Sequence, residues 1–199
     1  MPPPGETEQQ VIRWNDTVRR SGVVRLFVEA GLRRGGWAGI VDKAVTALND
    51  ELASKGINVA IRTVTRAADA EAILDTRPGI ELHGQSLLDT QDTPFLHKVA
   101  IKVPATPKVS KHYKDAREVG PGVRLYIIAH ELIHTLGLTN AAHSRDDVFT
   151  RDPGLLAKGM VVGGRGVTED AIRPYDLASV IPPIRLGAAT IANLQKAWP

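Results

Sequence analysis

His130 and His134 stand four residues apart with Glu131 directly after the first, and these are the residues whose types and spacing could do chemistry. On a helix, side chains at i and i+4 project from one face, one turn apart. Two neutral imidazoles so placed can meet one zinc ion at about 2.0–2.1 Å each. Glu131 lies about 100° around the helix from His130, where a carboxylate can reach a metal-activated water without ligating the metal. Water that attacks a carbonyl must lose a proton, and Glu131 is placed to accept it. The pattern points to metal-dependent hydrolysis.

HExxH arises by chance in on the order of one chain in a hundred of this size, so its setting matters. Leu125, Ile128, Ala129, Leu132 and Leu136 recur at helical spacing through the motif. Pro121-Gly122 interrupt the chain before it, and Gly137 stands where a helix ends in the left-handed conformation. One helix offers only two ligands at this spacing, whereas a catalytic zinc takes a third protein ligand and keeps one position open.

The run HELIHTLGLTNAAH, His130 to His143, resembles the HExxHxxGxxH signature of the metzincin metallopeptidases, in particular their matrixin-like branch. The match covers His130, Glu131, His134 and Gly137. Asn140 occupies the place of the last histidine. His143 lies three residues further on, and His143-Ser144 with Asp146-Asp147-Val148 is similar to that family's HS…VM segment displaced by a three-residue insertion. About one extra turn absorbs three residues, so His143 is the expected third ligand. Asn140 offers only a neutral amide oxygen, a weak zinc ligand. The carboxylates of Asp146 and Asp147 could also take that place.

The resemblance implies more. It calls for a methionine in a tight turn beneath the zinc, and Met160 is the candidate because the other methionine is Met1. It associates a stretch beginning His-Gly-Asp, followed by two more histidines, with a second, structural zinc. Here His83-Gly84 is followed by Gln85, so His83, His97 and His112 leave a second, structural zinc short of the usual four ligands unless Asp89 or Asp92 substitutes, and a calcium site is left open. The expected activity is a zinc endopeptidase with one catalytic zinc. Its peptide or protein substrate would lie extended in a cleft, paired with an edge strand for which Leu96–Val103 is the candidate. Tyr126 and Tyr175 are candidate transition-state helpers. Secretion is implied by the same resemblance. Two further readings stay open: a gluzincin-type peptidase with Glu169 as third ligand, and a non-catalytic binding protein on a metzincin-like scaffold.

The elements that must position these residues read as an α+β fold. Val23–Ala30 reads as a first strand and Trp37–Ser54 as a long amphipathic helix closed by Gly56. Ile57–Thr65, Glu71–Thr76 and His97–Val103 are further strands. The expected architecture is metzincin-like: a twisted mixed sheet, a long backing helix and an active-site helix, over an irregular lower subdomain. A C-terminal helix, Gly187–Trp198, packs through Ile191, Leu194 and Trp198. One catalytic domain is expected, with an upper subdomain over about 20–137, a lower one over 138–199, and 1–19 as a loosely attached segment.

Composition excludes several classes. The 199 residues are 43% apolar and 24% charged, ordinary for a globular chain that can bury a core. A net charge of +3, without a basic run interleaved with aromatics, gives no nucleic-acid surface. With no cysteine, disulfides, thiolate zinc sites and thiol catalysis are excluded. No stretch is apolar enough to span a membrane. The opening MPPPGETEQQ lacks the basic and apolar regions of a signal peptide. About twenty residues precede the first strand, too few for a folded inhibitory prodomain. A monomer is expected.

Overall fold

The computed structural model describes residues 11–79, 84–108, 118–143, 147, 161–162, 165–166 and 183–199. Burial alternates along Val23–Val28, which forms β1: Val24, Leu26 and Val28 are buried and Arg25 is exposed. This period of two is what a strand with one face on a core requires. The strand stops short of Ala30 because Ala30–Arg33 is a 3-10 turn. A second such turn, Gly35–Trp37, buries Trp37, whose indole N–H donates to the carbonyls of Pro104 and Ala105 at 3.1 Å. The long helix α2, Ile40–Ser54, therefore begins after Trp37 rather than at it. Its inward face is Ile40, Val41, Ala44, Val45, Leu48 and Leu52.

Four more strands complete the sheet: β2 (Ala60–Val64), β3 (Ala72–Arg77), β4 (Gln85–Asp89) and β5 (Lys98–Pro104). Their order is β2-β1-β3-β5-β4. β4 runs antiparallel to β5, and all other pairs are parallel. The fold is thus α+β with a mixed five-stranded sheet. Leu96–Val103, expected to form the edge strand, does not: β5 is interior, with Val99, Ile101 and Val103 fully buried. The edge beside the site is β4, a five-residue strand whose register sets Ser86 opposite Ile101 and Leu88 opposite Val99.

Helix α3, Pro121–Thr135, carries the HExxH run. Proline in its first turn costs no hydrogen bond, since those N–H groups have no partner inside the helix. Leu125, first in the predicted apolar stripe, is only partly buried, while Ile127 and Ile133, off the stripe, are 3% and 0% exposed. The stripe widens because α3 is covered from several sides. α2, β4 and β5 pack on it, and both ends of the described chain reach its C-terminal turn. Each large apolar side chain so buried stabilises the fold by roughly 1.5–3 kcal/mol.

Residues 11–19, expected to be loosely attached, are part of this packing; residues 1–10 lie outside the described residues. A short helix α1, Asp16–Ser21, starts where the Asn15 side chain accepts the Val18 N–H, and Trp14 before it is 1% exposed. Two short strands, β6 (Val161–Val162) and β7 (Arg165–Gly166), pair antiparallel within the region expected to be an irregular lower subdomain. The last helix, α4, spans Ala188–Ala197. Leu194 and Trp198 are buried and Ile191 is partly so, the packing its spacing predicts. Among the described residues no helix is long and apolar enough to cross a membrane.

Candidate metal centre

α3 sets His130 and His134 on one face, and the turn after it brings His143 back to them. One nitrogen from each ring lies within 4.8 Å of the others. The ring centroids are 5.3 Å apart for His130–His134, 5.0 Å for His130–His143 and 5.2 Å for His134–His143. Three imidazole nitrogens on one tetrahedral zinc stand about 3.4 Å apart, so the cluster is already within side-chain rotation of that arrangement. His130 and His143 are half-buried and His134 is buried.

The states of two of the rings suit a cation. His134 Nδ1 lies 2.7 Å from the Leu138 carbonyl. A carbonyl can only accept, so Nδ1 carries the proton and Nε2 is left with its lone pair for the cluster. His143 Nε2 is buried and has no hydrogen-bond partner among the described residues. A buried polar atom without a partner is costly, and a metal ion bound by the cluster would remove that cost. Burial also pushes the His143 pKa below the usual histidine range, keeping the ring neutral as a ligand must be. The group formed by His130, His134 and His143 could hold a metal ion.

Glu131, 3% exposed, sits beside the cluster in a shell of its own. Burial raises its pKa to about 7, against a smaller downward pull from the Ser86 hydroxyl. A cation held by the histidines would act in that same downward direction. Ser86 Oγ donates to Glu131 Oε2 at 2.7 Å. A Cβ added at Gly84 would fall 2.3–2.6 Å from Glu131 Cγ, Cδ and Oε1. Both Ser86 and Gly84 belong to the β4 edge and its approach.

The turn that redirects the chain from His134 to His143 is braced at consecutive carbonyls. Trp14 Nε1 donates to Thr135 O at 2.7 Å, Trp198 Nε1 to Leu136 O at 3.0 Å, and the Ile12 N–H to Gly137 O at 2.8 Å. Gly137 has φ +93°, and a Cβ there would lie 2.3 Å from the Ile12 carbonyl oxygen. The glycine is required twice over, by its dihedral and by the close approach of the N-terminal segment.

The remaining ligand candidates fare differently. Asn140 is exposed. Asp147 is fully buried but is occupied elsewhere: its carboxylate accepts the Gly187 N–H and, at 2.5 Å, the Thr190 hydroxyl, at the start of α4. It serves that helix rather than the cluster. His97 is exposed, with its backbone N–H on Asp89 O at 2.8 Å. Tyr126 is 2% exposed within the core. His83, His112, Asp146, Met160, Glu169 and Tyr175 lie outside the described residues. Sequence reasoning missed Ser86, Gly84 and Trp14 as parts of the site, and gave Trp198 only as a packing residue of the last helix. Only the tryptophans gave a signal, as three rare, large side chains that must be buried somewhere.

No model of a known protein family matches the sequence, and no curated protein does. Among solved structures the chain is similar to one described as the GM1-bound form of the ECX AB5 holotoxin, with a TM-score of 0.47. The two are 14% identical, over 92% of this chain and 83% of that one. A likeness so slight bears on neither fold nor function.

Proposed function

We propose that this protein is a zinc-dependent endopeptidase of metzincin-like architecture. The observation that carries the reading is the convergence of His130, His134 and His143 beside a buried Glu131. The three histidines would hold the zinc. When bound, the ion supplies Lewis acidity, polarising a carbonyl and bringing the pKa of water towards about 7. Glu131 takes a proton from the attacking water and returns it to the departing amine. The β4 edge, antiparallel and adjacent to Glu131, offers its outer backbone groups to an extended peptide. The element order supports the same reading: strand, long helix, further strands, then the HExxH helix. An extracellular location and a polypeptide substrate belong to the resemblance and stand with it.

Zinc content and peptide cleavage, measured together on protein purified without chelator, test this. Wild type is expected to hold at least one zinc per chain and to cleave an unfolded protein substrate. Glu131→Gln is expected to keep its zinc and lose about 10²–10⁴ of the rate. His143→Ala is expected to lose most of its zinc. A wild type without zinc, or one that holds zinc and cleaves nothing, overturns the reading.

A further inference from the structure

We infer that Ser86 is a positioning residue for Glu131, and that Gly84 is small so that the β4 edge can close over the same carboxylate. The inference rests on the endopeptidase reading and extends it to residues that are neither candidate metal ligands nor part of the HExxH motif. Strand alternation turns Ser86 and Leu88 towards α3, leaving Gln85, Leu87 and Asp89 on the outer face. Ser86 Oγ thereby reaches Glu131 Oε2 at 2.7 Å, while a longer 3.5 Å contact runs to the Glu131 carbonyl. On the other side of the carboxylate, the Gly84 backbone lies where any Cβ would overlap Cγ, Cδ and Oε1.

The two contacts hold a carboxylate between a hydroxyl and a main-chain wall. One oxygen is occupied by Ser86, which restrains the terminal torsion, and the Gly84 side leaves no room for a side chain. Such terminal torsions are otherwise broad and soft, and a general base gains by being held near its working geometry. The strand that supplies both contacts is also the one whose free edge would receive substrate. Seating a peptide on β4 would then reach the base through Ser86, without any movement of α3.

Cobalt(II)-substituted protein provides a readout other than turnover. Acetohydroxamate binds such a metal and also needs a nearby carboxylate to accept its proton; azide needs the metal alone. Ser86→Ala is expected to weaken acetohydroxamate about tenfold or more, the scale of one hydrogen bond to a charged group, and to leave azide within about twofold. Cobalt content should stay unchanged. Ser86→Thr, which keeps the hydroxyl on a side chain suited to strands, is expected to restore acetohydroxamate binding. Gly84→Ala, acting on the other side, is expected to give the same selective loss. With a peptide substrate, Ser86→Ala should lower kcat and leave KM in place.

If wild type binds acetohydroxamate and both Ser86→Ala and Gly84→Ala bind it as tightly, the positioning role is overturned and the endopeptidase reading survives. An equal loss for azide and acetohydroxamate also overturns it, because the metal site itself has then been disturbed. A wild type that takes up no cobalt overturns the parent reading, and this inference with it.

Discussion

At the scale of single residues, the cluster depends on how the chain turns after His134 as much as on the ligands themselves. Gly137 takes φ +93° against the Ile12 carbonyl oxygen, and the next carbonyl, Leu138 O, fixes the His134 tautomer. Gly137→Ala is expected to cost about 1–3 kcal/mol of stability through backbone strain, read by urea unfolding in chelator. It should also speed zinc loss to a competing chelator, since Leu138 shifts with the turn; an unchanged rate would show that the tautomer is set elsewhere. His130, Glu131, His134 and Gly137 were legible because helix geometry fixes their relation from spacing alone. His143 was legible through the resemblance of His143-Ser144 to a displaced HS…VM segment and as the next neutral imidazole within reach. Ser86 was not legible, because its role arises from a register between strands, and a hydroxyl in the five-residue strand QSLLD carries no mark of it.

Elements show the same division between local and non-local causes. β1, α2, β2, β3, β5 and α4 follow from periodicity to within a few residues, and their ends shift where a 3-10 turn or a buried tryptophan intervenes. Which strand is outermost could not be read from pattern, since β5 alternates as a half-buried edge strand would until β4 covers its free side. Short α1 was missed although Asn15-Asp16 and Gly22 are ordinary start and stop signals. Asp147 illustrates a residue whose type was right for a ligand and whose element decided otherwise. Asp147→Ala would leave the Gly187 N–H and the buried Thr190 hydroxyl without their acceptor. We expect a loss of about 2 kcal/mol or more in unfolding free energy, with zinc stoichiometry unchanged. Loss of zinc in that variant would return Asp147 to the metal.

Over the whole molecule, metal binding and folding should be linked, because the cluster draws on α3 and on the turn beyond it. A ligand that binds only the native state at about 100 times its Kd adds about 2.7 kcal/mol. For a chain of this length that is about 5–10 °C in Tm. Zinc is expected to raise the wild-type Tm by about that amount and to raise that of His143→Ala far less, as followed by thermal unfolding with and without chelator. Equal shifts in the two would place the binding elsewhere. The braces on residues 135–137 have a further consequence, one of timing. Trp14 and Trp198 hydrogen-bond adjacent carbonyls at the end of α3, yet they lie near opposite ends of the sequence. During synthesis from the N-terminus, His130, His134 and His143 all leave the ribosome before Trp198 exists. The turn behind the ligands can take its braced form only after translation has passed residue 198. On the proposed reading, the site would gain its braced form only once residue 198 has been made, later than all three of its ligands.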